Sequence, residues 1–249
     1  MKKQATFRFY AELNDFLSAD KRQRPFFYRF WGNPAVKDAI EALGVPHPEV
    51  DLILVNGRSV SFAYRLNDKD RVSVYPQFEL LNIEALTRLR PKALRQPKFI
   101  LDVNLGKLAR KMRILGLDTL YENNWTDRQI VKIAGEEHRI ILTRDQGLLK
   151  RSGVTHGYWV RAVRPDEQIK EVILKLDLFS YMDPFSRCSL CNGKLEVVNK
   201  KEIEDQLPAR TRQYFTEFYR CRECGQIYWK GSHFQKMMRF ITELKKVQR

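Results

Sequence analysis

The chain has 249 residues, 43% of them hydrophobic and 12% aromatic, which is ample for packed cores and excludes a disordered protein. Lys and Arg outnumber Asp and Glu by 45 to 30, a formal charge of +15 that favours a polyanion such as nucleic acid as partner. No apolar run approaches the roughly 20 residues of a membrane span, and Arg8, Glu12 and Asp15 interrupt the basic start before a signal core can form, so a cytoplasmic location is expected.

Residues 1–90 carry 14 basic and 11 acidic side chains, residues 91–179 carry 17 and 11, and residues 180–249 carry 14 and 8, so the basic excess lies behind residue 90. The first segment opens on an alternating strand, Ala5, Phe7 and Phe9 against Thr6, Arg8 and Tyr10. Val36, Ala39, Ile40 and Leu43 stripe a helix that Gly44 closes. Val50–Val55 reads as a central strand, Asn56-Gly57 as a hairpin turn, Val60, Phe62 and Tyr64 as its continuation, and Arg71–Tyr75 as the last strand. The order resembles a ubiquitin-like β-grasp, and Val36–Ala42, Leu52–Gly57 and Asp68–Pro76 are similar to small sulfur-carrier proteins. Those carriers activate a free C-terminal Gly-Gly; here Tyr75-Pro76-Gln77-Phe78 stands at that place and the chain runs on, which excludes thiocarboxylate chemistry. A docking or packing domain over 1–90 is expected, followed by a proline-bracketed linker at 91–97.

Strand and helix then alternate. Phe99-Ile100-Leu101 is a short strand ending at Asp102; Leu105, Leu108, Ala109, Met112 and Leu115 stripe one helix face, with Lys107, Arg110, Lys111 and Arg113 around the rest. Gly116 stops that helix, Leu117–Tyr121 is a second strand, and Thr126 with Gln129 forms a capping box for the next helix. Arg139–Thr143 is a buried strand running into Arg144-Asp145, Gly157–Val160 a fourth strand, and a helix follows over about 165–178. Single helices between strands imply a parallel sheet covered on both faces, here over 98–180.

The chain's four cysteines fall as two doublets, Cys188-Ser-Leu-Cys191 and Cys221-Arg-Glu-Cys224, a spacing that predicts a tetrahedral zinc site in a reducing compartment. Strands near 195–198 and 227–229, a polar excursion at 200–212, and a last helix with a Ser232/Gln235 capping box and a stripe of Phe234, Met237, Met238, Ile241 and Leu244 complete a module over 185–249. His233, in the first turn of that helix, could be read as a zinc ligand or an acid-base group; four thiolates already fill the metal, which favours a structural or RNA-contacting role.

In a parallel sheet, ligands gather beyond the carboxyl ends of the strands. Asp102 and Asp145 stand at two such ends, and Asp127 in the first turn of the helix after the second strand. Like charges meeting there need a cation, and Mg²⁺ or Mn²⁺ suits oxygen ligands and phosphodiester hydrolysis. Each residue also has a local reading: Asp127 favouring its helix dipole, Asp145 capping Gln146–Lys150. A carboxylate straight after Phe-Ile-Leu demands a partner or a metal. Arg110, Arg113 and Arg144 are candidates to grip phosphate, or, for Arg144, to pair with Asp102 or Asp145.

Phe99–Arg110, Leu115–Tyr121, Leu142-Thr143-Arg144-Asp145, the cysteine doublets and Tyr228–His233 together closely resemble the Mut-seven C-terminal RNase domain family, which belongs to the PIN-like nucleases, and the β-grasp resembles its common N-terminal partner. The resemblance implies a multidomain α+β and α/β protein with a central PIN-like parallel sheet, and metal-dependent endoribonuclease cleavage of RNA (tRNA, rRNA or mRNA) with Asp102, Asp127 and Asp145 at the acidic positions. PIN-like nucleases commonly assemble a fourth acidic ligand; Glu122 and Asp118 are the candidates here. Two other readings stand beside it: a non-catalytic RNA- or ribosome-binding protein, and an adaptor whose β-grasp docks a protein. The zinc site carries a separate expectation: Cys188→Ser should destabilise the tail, yet leave isolated residues 96–180 folded.

Overall fold

A computed structural model of the chain describes residues 2–76, 89 and 97–247, and the side chains among them except those of His233 and residues 245–247. All but the last residue of the expected 91–97 linker lies outside the described residues. Two compact units make up the chain: Met1–Arg95 with Thr126–Trp159, and Gln96–Trp125 with Val160–Arg249. The middle segment contributes to both.

In the first segment β1 (Lys3–Phe9) alternates as its residues dictate, with Ala5, Phe7 and Phe9 buried and Arg8 exposed. β2 (Phe26–Phe30), α1 (Val36–Ala42), β3 (Val50–Val55), β4 (Arg58–Ser59) and β5 (Arg71–Pro76) follow. The sheet order is β2-β1-β5-β3-β4, with β1 and β5 parallel and the other pairs antiparallel. The central strand is thus β5, and β3 lies between it and the short β4. Asn56 and Gly57 both hold positive φ, 50° and 82°, as a tight hairpin turn requires. The strand expected through Val60, Phe62 and Tyr64 does not form. Instead the carbonyls of Tyr64 and Phe62 accept from the Val36 and Lys37 amides at 2.8 and 3.3 Å, so this stretch satisfies the open N-terminus of α1. Its three apolar side chains still pack on the core that α1 builds with Val36, Ala39 and Ile40 against Phe7, Phe9, Val72 and Val74.

The middle segment begins with β6 (Phe99–Leu101), whose three side chains are fully buried. One 3₁₀ turn leads into α2 (Gly106–Ile114), and β7 (Thr119–Leu120) runs parallel to β6. α3 (Asp127–Glu137) starts at the expected capping box: the Gln129 amide donates to Thr126 Oγ1, and the Thr126 amide donates to Gln129 Oε1 at 2.8 Å. β8 (Ile140–Thr143), α4 (Gln146–Leu149) and β9 (Gly157–Trp159) follow, with β8 and β9 parallel, then α5 (Pro165–Lys175) with proline in its first turn.

Gly116 ends α2 for two reasons that only glycine meets. Its φ is +83°, and a Cβ there would sit 2.0 Å from the Asp183 carbonyl oxygen. Gly116→Ala is therefore expected to cost more than about 2 kcal/mol, through strain at positive φ plus displaced backbone. A fall in the urea midpoint checks this; an unchanged midpoint would show that the 183 segment yields freely.

In the last segment β10 (Leu195–Val198), α6 (Lys200–Ile203), α7 (Ala209–Tyr214), β11 (Phe218–Cys221) and β12 (Ile227–Trp229) form a three-stranded antiparallel sheet and its insertion. The stretch expected to be a polar excursion folds into the two short helices because Ile203 and Leu207 bury against Val198 and Phe218. α8 (Ser232–Val247) buries Ile241 and Leu244, while Met238 of the expected stripe is 40% exposed. The Gln235 amide donates to the Gly231 carbonyl, so Gly231 rather than Ser232 occupies the cap. Among the described residues no helix is long and apolar enough to cross a membrane.

Candidate metal centre and acidic residues

Two tight knuckles present the cysteines. In the first, the Cys188 amide donates to the Gly193 carbonyl at 2.7 Å and the Asn192 amide to the Cys188 carbonyl at 3.0 Å; in the second, the Gly225 amide reaches the Cys221 carbonyl at 3.1 Å. Each chain turns back at positive φ directly after its second cysteine, at Asn192 (75°) and Gly225 (73°), residue types that tolerate that conformation. All four Sγ atoms lie within 4.8 Å of one another, Cys188 to Cys224 at 3.6 Å and Cys191 to Cys221 at 3.4 Å. A regular tetrahedron with zinc–sulfur bonds of about 2.3 Å would set sulfurs ~3.8 Å apart, so the donor set fits such an ion. Gly193 makes room for it: a Cβ would lie 2.9 Å from Cys221 Sγ.

The thiols are electrostatically at odds without a cation. Burial, with hydrogen bonds to the neighbouring sulfurs, pushes Cys191 up to about 12. Burial also opposes a Cys188 thiolate, but the Tyr228 hydroxyl, 3.1 Å from its sulfur, and the backbone amides around it outweigh that and bring it down to about 7. One thiolate suppresses the others; a divalent ion removes the conflict.

Arg113 is the main departure from expectation. The helix-face reading put it outside, ready for phosphate, yet it is 3% exposed. Its Nε donates to the Thr119 carbonyl at 2.8 Å, Nη2 to Tyr121 at 3.4 Å, and Nη1 to Ser189 at 3.5 Å and to Leu190, inside the first knuckle. Burial lowers its pKa, and the nearby Cys191 and Cys188 charges counter that. The side chain thus joins α2 and β7 to the cysteine knuckle. Asp118, weighed as a fourth acidic ligand, does the same: it accepts from Arg187 and from Asn192 Nδ2, each at 3.0 Å, while the Thr119 amide donates to Asn192 Oδ1 at 2.9 Å. The cysteine module and β7 share one hydrogen-bond network, so loss of the module would leave the Thr119 amide and the Asp118 carboxylate without these partners. No spacing in the sequence signals these roles; a basic residue turned toward the apolar stripe of α2 was the available hint.

Each aspartate has a distinct setting. Asp102 follows β6 directly and is only 6% exposed; its Oδ1 accepts from the Val103 amide at 2.6 Å. Gly106 in the next turn lies against Tyr121, whose hydroxyl donates to the Val103 carbonyl at 2.9 Å and pins the backbone beside Asp102. Asp127, in the first turn of α3, is paired with Arg151 at 2.8 Å. Asp145, exposed at the end of β8, caps α4 through the Gly147 amide at 2.7 Å, so its local reading is realised. Arg144 and Arg110 are exposed, and the Arg144 carbonyl accepts from the Trp159 indole at 3.2 Å. Among the described residues, the cysteine quartet is the group found to bring three or more His, Cys, Asp or Glu ligand atoms close enough for one ion.

The Mut7-C RNAse domain model matches residues 97–241, more than half of the chain, and the Mut7-C ubiquitin model matches residues 2–82. The chain belongs to the Mut7-C RNAse domain family. Comparison with curated proteins and with solved structures gave no match. The Mut7-C match runs without a break from β6 through the cysteine knuckles and into α8, consistent with the network that ties β7 to Asn192. Its ubiquitin partner coincides with the five-stranded sheet and α1.

Proposed function

We propose that the protein is a divalent-metal-dependent endoribonuclease in which Asp102, Asp127 and Asp145 hold Mg²⁺ or Mn²⁺, and that the cysteine quartet holds structural Zn²⁺. The observation that carries the reading is Asp102: a buried carboxylate at the carboxyl end of β6, in a chain of the RNAse domain family. Beyond the carboxyl ends of parallel strands is where ligands gather in such sheets. That the three aspartates converge on one ion is part of the proposal, drawn from the strand-end positions of Asp102 and Asp145 and the family's acidic pattern. A divalent ion bound there would lower the pKa of a water and stabilise the leaving oxygen. The chain's own residues would do the rest: the carboxylates fix the ion's position, and Arg110 and Arg144, both exposed, steady phosphate. Arg113, engaged with carbonyl oxygens, has no part in it.

The test is cleavage of an end-labelled RNA with Mn²⁺. Wild-type protein is expected to cut internally and Asp102→Asn to fall to the level seen without metal. Cleavage retained in Asp102→Asn would remove the proposal. A second reading, an RNA-binding protein without catalysis, draws on the local partners of all three carboxylates: the Val103 amide on Asp102, Arg151 on Asp127 and the α4 cap at Asp145. Salt-sensitive RNA binding without cleavage, indifferent to Asp102→Asn, would select it.

A further inference from the structure

We propose that the outer face of the N-terminal sheet along β1 and β2 is a platform for single-stranded RNA, recruiting substrate through base stacking and arginine contacts. The inference rests on RNA being the substrate, but not on the aspartates being catalytic. Strand register defines the face. Phe7 and Phe9 of β1 turn to the core, so Gln4, Thr6 and Arg8 turn outward. Phe27 pairs with Thr6 and Arg29 with Gln4 across β1·β2, while Arg71 pairs with Thr6 and Ser73 with Arg8 across β1·β5, which puts them on that same outer face. Phe27 is 68% exposed, and Trp31, just past the end of the same edge strand, 70%. Tyr10 and Tyr75 add a preformed stack, ring centroids 4.3 Å apart, with the Arg8 guanidinium 5.0 Å over Tyr10.

Charge decides the occupant. The outward positions of β1, β2 and β5 carry Arg8, Arg29 and Arg71 and no Asp or Glu. Aromatic rings that accept any base, interleaved with guanidinium groups for phosphate, are how β-sheets hold single strands. Protein interfaces also enrich aromatic residues and arginine, so it is the uniformly positive sign of these outward strand positions that favours a polyanion. An A-form duplex buries its base faces and offers nothing to Phe27 or Trp31.

The experiment uses full-length protein without added Mg²⁺ or Mn²⁺, and a fluorescein-labelled oligouridylate about 12 nucleotides long, a length suited to one such face. Anisotropy titrations compare wild type with Phe27→Ala/Trp31→Ala and with Arg8→Gln/Arg29→Gln. The aromatic pair should weaken binding about tenfold or more. The arginine pair should lower the slope of log affinity against log salt by ~1.4, the share of two single-strand phosphates. A duplex of the same length should bind less well and respond little to the aromatic pair. All four side chains are exposed, and because the two variants alter different residues, either can report if the other fails to fold. If both bind oligouridylate as wild type does, the proposal is overturned and a protein becomes the occupant to seek. Lost binding in the variants alongside a wild type that cleaves nothing would retain the platform and remove the nuclease; cleavage with unchanged binding in the variants would do the reverse.

Discussion

Arg113→Met should be among the most destabilising single substitutions in the chain, lowering unfolding free energy by about 3–5 kcal/mol, the range for removing one partner from a buried, charged hydrogen-bond cluster. The aliphatic stem of methionine replaces much of the volume, so the loss reports the guanidinium. Without it the carbonyls of Thr119, Tyr121, Ser189 and Leu190 lose a common donor, and Cys188 and Cys191 lose a compensating cation. Arg113→Lys should recover little, because one ammonium cannot span carbonyls on two sides as a planar fork does. Urea unfolding reads the stability, and a chromophoric chelator reads the rate of metal loss, which should rise in both variants. An Arg113→Met protein as stable as wild type would mean that water or a shifted knuckle takes over the carbonyls.

Stripping the ion from the cysteines should have a still larger effect, and one that spreads beyond β10–β12. Structural zinc contributes on the order of 10 kcal/mol in small modules, and without it the two knuckles keep only the β10–β11 ladder and hydrogen bonds such as that from the Ser189 amide to the Tyr228 hydroxyl. The informative probe is the Thr119 amide. Its acceptor is Asn192 Oδ1, in the knuckle, whereas the Phe99 amide a strand away donates to the Asp118 carbonyl within the middle segment. Hydrogen exchange after metal removal, or in Cys221→Ser, should therefore accelerate at Thr119 well before Phe99. Equal protection before and after would restore the picture of an independent tail. The same coupling predicts that the proposed nuclease activity declines when the zinc proposed for the cysteines is removed.

Much of this protein is written locally. Alternation in β1, the helical stripes of α1 and α2, the Thr126/Gln129 box, the Asn56-Gly57 turn and the two cysteine doublets each depend on residues only a few positions apart, and all appear in the structure. Asp145 belongs in that group, since a cap needs only the next two residues. What failed to show was long-range. His47, without a visible partner in sequence, is held by Glu41 at 2.6 Å and by the Val154 carbonyl at 2.7 Å. The stretch after Asn56-Gly57 had strand composition, but the unsatisfied amides of α1 claimed its carbonyls. Arg113 and Asp118 sat among plausible phosphate and metal ligands by type, and became struts because Asn192 and the Ser189–Leu190 carbonyls, more than 70 residues on, fold against them.

Sequence alone was thus sufficient for most of the elements, the cysteine quartet and the family, because periodicity, turn chemistry and metal spacing act over a handful of residues. Only the tertiary structure decided which charged side chains face solvent and which are consumed inside. That choice depends on the desolvation of a group by segments far away in the chain, and no local pattern encodes it.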